Sequence, residues 1–158
     1  PYPLSYNGWG DVLVIIFFGF VPVGGTYYVQ ALTWTPDVTT ASIICGLLID
    51  TLLVVNNYRD READARSGKR TVIVRFGEKF GRYFYLLLGI SASLLCLYFL
   101  REGHIYAALL PQFYLVPHVL TWRRMVKIHS GKKLNSILGE TSRNMLFMGI
   151  LLAIGMIL

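Results

Sequence analysis

Apolar residues along this chain fall into long blocks separated by polar, cation-rich connections. The blocks at 12–31, 38–55, 83–100 and 104–122 approach the roughly 17–25 residues that a helix needs to cross a hydrocarbon core. A fifth, 145–158, is short by itself and reaches spanning length if its helix begins near residue 138. The pattern predicts an all-α integral membrane protein with five transmembrane helices, at about 12–31, 38–55, 83–100, 104–122 and 138–158. A polar motif at 56–82 joins the second span to the third. Residues 1–158 read as a single membrane domain, with no internal repeat and little chain left for a domain outside the bilayer.

Composition agrees with the pattern. Of 158 residues, 54% are hydrophobic and 15% charged, against roughly 25% charged in soluble domains. Disorder is excluded by the same figures, because disordered chains are poor in apolar and aromatic residues. The net charge of +6 would suggest nucleic-acid binding in a soluble protein, but here its distribution points elsewhere. Segment 56–82 holds eight Lys/Arg, segment 123–143 holds six, and Arg101 is the fifteenth. Five successive spans put fourteen of the fifteen cations on one side, which the positive-inside rule makes cytoplasmic. The expected partner is the lipid bilayer, with no nucleic acid, and segments 56–82 and 123–143 are expected on its cytoplasmic side. Trp9, Tyr27, Tyr28, Trp34, Tyr98, Tyr106 and Trp122 cluster near span ends, as interfacial anchors do. Cys45 and Cys96 lie inside apolar runs and read as small buried hydrophobes rather than a disulfide.

The polar connection carries the candidate chemistry. Asn56, Asp60 and Asp64 stand four apart, so on a helix they project from one face about 6 Å apart along the axis. Between Leu47 and Ala65 there is no Gly or Pro, so the second span can continue into the motif as helix. Hard carboxylate oxygens favour Mg²⁺, which commonly binds through one or two carboxylates plus substrate phosphates. Arg59, Arg61, Lys69 and Arg70 are placed to meet the remaining phosphate oxygens. Spacing alone leaves a second reading open: a solvated, charge-balanced loop that only orients the protein. Asp50 is an acid inside an apolar span, where a carboxylate costs roughly 2.5–3.5 kcal/mol on insertion scales. It lies about 15 Å below Asp60, and positions 50, 57, 60 and 64 share one sector of about 80°. This suggests a continuous polar cavity or, as the alternative, a neutral structural carboxyl.

The run Asn56-Asn57-Tyr58-Arg59-Asp60-Arg61-Glu62-Ala63-Asp64 with Ser67-Gly68-Lys69-Arg70-Thr71 resembles the second aspartate-rich motif of the UbiA superfamily of intramembrane prenyltransferases. Within it, the chain is most similar to the menaquinone-pathway branch acting on 1,4-dihydroxy-2-naphthoate. Pro1-Tyr2-Pro3-Leu4-Ser5-Tyr6 with Gly8 and Gly10, Gly25-Thr26-Tyr27-Tyr28-Val29-Gln30 and the stretch 72–77 fit that branch as well. The resemblance implies a nine-helix bundle around a central cavity, of which five spans would be the last five. It implies two aspartate-rich motifs that jointly hold Mg²⁺ and a polyprenyl diphosphate. The first motif is absent from these residues, so the expectation is a C-terminal portion, inactive alone. The implied reaction transfers the polyprenyl group to the naphthoate with decarboxylation, giving demethylmenaquinone. Carried over residue by residue, Asp60 and Asp64 are Mg²⁺ ligands, with Asn56 and Asn57 supporting. Arg59, Lys69 and Arg70 are assigned to the diphosphate, and Asp50 receives no role.

His104, His118 and His129 lack metal-ligand spacing and read as packing or interface residues. Glu140 and Asn144 read as helix-end solvation, and Gly19, Gly24 and Gly25 as close helix packing. Alternatives remain a related transferase for 4-hydroxybenzoate, homogentisate or a chlorophyllide-like ring, a transporter or channel half using Asp50, or a structural membrane subunit.

Overall fold

Local signals set the helix ends. Thr35 accepts a hydrogen bond from Val38 N at 3.3 Å, and Pro36 occupies a first-turn position where its missing N–H costs nothing. Thr71 caps the following helix in the same way, accepting from Val74 N at 3.2 Å. The computed structural model describes residues 4–158, and these are helical with short turns between. After a 3-10 turn at Leu4–Asn7 come α1 (Gly10–Ala31), α2 (Pro36–Arg66), α3 (Val72–Leu100), α4 (residues 105–128) and α5 (Leu134–Ile157). Pro1, Tyr2 and Pro3 of the first resemblance motif lie outside the described residues.

Four helices, α1, α2, α3 and α5, are long and apolar enough to cross a membrane. The fourth expected span corresponds to α4, which does not run as one uninterrupted α-helix. Pro111 lacks an N–H and sits in a 3-10 segment, Leu110–Tyr114, between two α-helical pieces. The second span does continue into the polar motif, through Arg66.

Helix α2 is the hub, packing against α1, α3 and α5. An apolar cluster around Ile44, Leu48, Cys96, Phe99, Tyr114 and Met148 fills the middle of the bundle. A second, around Val54, Tyr58, Ile73, Tyr85, Met125 and Ile137, underlies the charged end. Large apolar side chains such as Leu87, Leu94, Phe113, Val116 and Leu146 are exposed, as lipid-facing positions are in a membrane bundle. Cys45 and Cys96 are both free.

The α1–α2 contact is a backbone-on-backbone approach at small residues. A Cβ added at Gly46 would lie 2.9 Å from Ile15 Cα, and one at Gly19 would lie 3.0 Å from Gly46 Cα. With Gly10 facing Leu53 as well, the two antiparallel helices pair residues whose numbers sum to about 61–65. Around α1 this contact falls on a stretch of π-helix, Ile15–Gly25, that includes Pro22.

The sequence reading of Glu140 and Asn144 needs correction here, whereas that of His118 holds. Glu140 and Asn144 are not solvated helix-end groups: α5 begins at Leu134, which places both inside the bundle, 8% and 9% exposed. Asn144 donates to Thr121 Oγ1 at 2.9 Å, Thr121 donates to Glu140 at 3.4 Å, and Arg124 pairs with Glu140 at 2.7 Å. His118 is fully buried between the rings of Tyr85 and Tyr114, a packing role.

Candidate functional site

The charged connections meet at one end of the bundle. Arg59 Nη1 donates to Asn135 Oδ1 at 3.0 Å, and His129 Nε2 lies 3.2 Å from Glu78. The 2–3 and 4–5 connections therefore form one polar cap over the end of α2.

The turn after α2 is built to fold a lysine back onto the motif. Gly68 takes φ +78°, a left-handed conformation that suits glycine. Its N–H donates to Ala65 O at 3.3 Å, and Lys69 N–H donates to Asp64 O at 2.9 Å, the paired bonds of a Schellman helix end. The chain reversal sets Lys69 Nζ 3.2 Å from Asp64 Oδ2. Two residues later Thr71 starts α3, so Ser67-Gly68-Lys69-Arg70-Thr71 stops one helix, returns a cation and caps the next. The segment before α1 docks on this turn: Arg70 N–H donates to Tyr6 O and Arg75 Nη2 to Asn7 O, both at 2.8 Å.

One helical turn from Asp64, Asp60 is gripped by its own neighbour. Arg59 Nε and Nη2 donate to the two carboxylate oxygens at 2.7 and 2.6 Å, and Nη2 also reaches Asn56 Oδ1 at 2.8 Å. The guanidinium holds the Asp60 carboxyl below the ordinary carboxylate range, with Lys69 adding in the same direction. Lys69 thus acts on both acids, which places Asp60 and Asp64 on a shared side of α2. Two carboxylates one turn apart, each neutralised by a cation of the same motif, form a hard-oxygen donor set suited to Mg²⁺ with substrate phosphates completing the shell. No cluster of three or more His, Cys, Asp or Glu suited to a metal occurs among the described residues.

The other motif residues divide by face. Asn57, 4% exposed, turns from the Arg59 cluster into a small cavity of about 60 Å³ that it lines with Gly8, Asp11, Leu53, Lys69 and Thr71. Arg70 is exposed, and its side chain has no ion-pair partner among the described residues. Arg61 does not join the acid row. It stacks over the Tyr58 ring at 4.5 Å and reaches Glu78 at 3.5 Å. There Glu78 accepts from Tyr58 Oη at 2.8 Å and pairs with Arg82. Glu78 and Asp11 went unread in the sequence. Asp11 stands one residue before the first apolar block as drawn from the sequence, and the intramembrane-acid criterion that marks Asp50 would mark it once α1 begins at Gly10.

Below the acid row an apolar groove of about 700 Å³ runs between α2 and α5, past Cys45, Leu48, Ile49, Met145 and Met148. Cys45, Ile49, Asn56 and Asp60 are spaced four, seven and four residues apart, so this wall of the groove continues along α2 as a stripe into the polar cap.

Comparison with known proteins gives the same direction. The chain is 43% identical over 94 residues to the 1,4-dihydroxy-2-naphthoate octaprenyltransferase of Haemophilus influenzae, covering 60% of this chain and 30% of that protein. It is 41% identical over 95 residues to the Escherichia coli protein of the same name, again 60% and 30% of the two chains. Along its whole length it is 29% identical to a Dictyostelium discoideum UbiA prenyltransferase domain-containing protein 1, of which it covers 47%. The chain therefore spans between about a third and a half of these relatives. No solved structure matches it. The model of the UbiA prenyltransferase family matches residues 1–157, and this chain belongs to that family.

Proposed function

We propose that the chain is the portion of an intramembrane prenyltransferase that carries the second aspartate-rich motif. The enzyme transfers a polyprenyl group from its diphosphate to 1,4-dihydroxy-2-naphthoate, with loss of the carboxylate, in menaquinone biosynthesis. The observation that carries this reading is the row of Asp60 and Asp64, each held by a cation of its own motif, at the head of an apolar groove. On this reading the five helices are five spans, the last five of nine, and segments 56–82 and 123–143 face the bacterial cytoplasm.

Asp60 and Asp64 would hold Mg²⁺, with Asn56 and Asn57 supporting. Bound there, the ion supplies Lewis acidity to the leaving diphosphate. Arg59 and Lys69 are already seated on these two acids and turn to the diphosphate oxygens as substrate arrives, with Arg70 at the rim. Arg59, with its planar fork, suits a bidentate phosphate contact, whereas Lys69 acts as a mobile point charge. The groove takes the polyprenyl tail and excludes water that would quench an allylic cation.

The test is prenyl transfer by the full-length protein carrying Asp60→Asn or Asp64→Asn. Each is expected to lower kcat by on the order of 100-fold or more, the usual scale for losing one transition-state electrostatic contact, with a stability loss no larger than the roughly 1 kcal/mol or less that an exposed ion pair supplies. Undiminished transfer in both variants would refute the assignment.

A further inference from the structure

At the charged end of the bundle a cavity of about 500 Å³ lies between α3 and α4, within the roughly 300–1,000 Å³ of small-molecule sites. Glu78, Lys79, Arg82 and Tyr83 form its α3 wall, and Trp122, Val126 and His129 form its α4 wall. It is separate from the acid row. Tyr58 backs it through Glu78 and Arg82 and stands two residues from both Asn56 and Asp60, about 200° around α2 and so on the opposite face. The transfer reaction gives this cavity no task.

The charges of this cavity select the sign of its ligand. Glu78 is already committed: it accepts from Tyr58 Oη at 2.8 Å, pairs with Arg82, and has His129 Nε2 at 3.2 Å and Arg61 Nη2 at 3.5 Å. No carboxylate of the lining is left for a cationic group. Lys79 is exposed and has no hydrogen-bond or ion-pair partner among the described residues. Arg61, Arg82 and Lys79 against one carboxylate leave an excess of two positive charges, with His129 counted as neutral. Arg82 engages Glu78 and Tyr58 through Nη2 and Nε, which leaves Nη1 for a ligand. Trp122 Nε1 donates to Arg82 O at 2.9 Å, so the aromatic wall and the cation are fixed to each other.

The position of the cavity selects the ligand class. Tyr83 and Trp122, with ring centroids 6.3 Å apart, bring to it the amphipathic rings that sit at the headgroup level of a bilayer. Lys79, Tyr83, Leu87 and Leu94 fall within one sector of about 80° on α3, and the last three are 50%, 57% and 53% exposed. An apolar, lipid-facing stripe therefore descends from the cation-lined cavity. A soluble anion would meet only the cations, whereas a lipid meets both the cations and the stripe. We propose that the α3–α4 cavity binds the phosphate headgroup of an anionic phospholipid, with Lys79 and Arg82 on the phosphate and an acyl chain along the α3 stripe. Basic pockets between transmembrane helices suit such headgroups. Binding involves no prenyl transfer, so it stands or falls apart from the role of Asp60 and Asp64.

The experiment is native mass spectrometry of the full-length protein in neutral detergent, with phosphatidylglycerol, phosphatidylcholine or inorganic phosphate added. Wild type is expected to retain phosphatidylglycerol at concentrations where phosphatidylcholine gives no adduct, and inorganic phosphate is expected not to displace it. Lys79→Gln is expected to weaken retention about fivefold, the equivalent of the roughly 1 kcal/mol that one cation contributes near an anionic surface, and Lys79→Glu about 25-fold, because reversal counts twice. Lys79 is exposed and unpartnered, so both variants are expected to melt as wild type does, and loss of the adduct then reports binding. Lys132→Gln changes an exposed cation of the 4–5 connection that does not line the cavity, and is expected to leave retention unchanged. Undiminished retention in Lys79→Glu overturns the proposal, as does an equal loss in Lys132→Gln, which would mean diffuse surface attraction. Equal retention of the two lipids overturns the charge selection, and displacement by inorganic phosphate overturns the assignment to a lipid.

Discussion

Gly46→Ala tests the contact on which the geometry of α1 and α2 depends. The new methyl would sit 2.9 Å from Ile15 Cα, 3.1 Å from its Cγ2 and 3.2 Å from its carbonyl oxygen. Ordinary contact begins at 3.4 Å, so 3.4 − 2.9 = 0.5 Å is the least separation the two helices must gain. Ile15 Cα is backbone and cannot rotate aside, so the cost is that of overpacking, about 1–3 kcal/mol. Alanine also returns up to about 1 kcal/mol of helix propensity, which masks part of that cost. Gly139→Ala separates the two effects, because Gly139 lies in α5 with nothing within 4 Å of its added Cβ. The difference between the variants isolates the packing cost. A central value of about 2 kcal/mol corresponds to about 4–8 °C in melting temperature for a protein of 150–250 residues, and proportionally less in a longer chain. The assay is thermal melting in detergent. Equal melting temperatures for the two variants would refute the close-approach argument.

Two other outcomes follow from the motif itself. Gly68→Ala places a side chain at φ +78° with open space around it, so its cost is backbone strain alone, roughly 1–2 kcal/mol. Loosening the turn unseats Lys69, and the expected result is a higher KM for the prenyl diphosphate; an unchanged KM would show that the turn does not position the lysine. The second concerns pH. The Asp60 carboxyl is held below its ordinary value, so its pairing with Arg59 contributes fully above about pH 4 and is lost only as pH falls through the lower folded value. Both side chains are a quarter to a third or more exposed, which limits the contribution to about 1 kcal/mol or less. Melting of wild type and Arg59→Gln should therefore differ by a constant amount from pH 8 to 5 and converge partially below pH 4. Convergence already at pH 6 would contradict the pairing.

The helical, membrane-spanning character of the chain is legible in its sequence because hydrophobicity along a helix is a local property. Spanning length follows from the 1.5 Å rise per residue, whatever the partners. The row of Asn56, Asp60 and Asp64 is legible for the same reason, since four residues make about one turn, and the continuation of α2 to Arg66 follows from the absence of Gly and Pro. The Ser-Gly-Lys-Arg-Thr run even contains its own turn chemistry. Partnership is different. That Arg59 grips Asp60 while Arg61 turns away to Tyr58 and Glu78 depends on which face of α2 meets α3. Glu140 and Asn144 looked like helix-end groups until the earlier start of α5 carried them inward to Thr121. The register of α1 on α2, which brings residue 11 opposite residue 50, depends on how closely Gly19 and Gly46 allow two backbones to approach. Such contacts act through space between residues far apart in the chain, and one-dimensional periodicity carries no record of them.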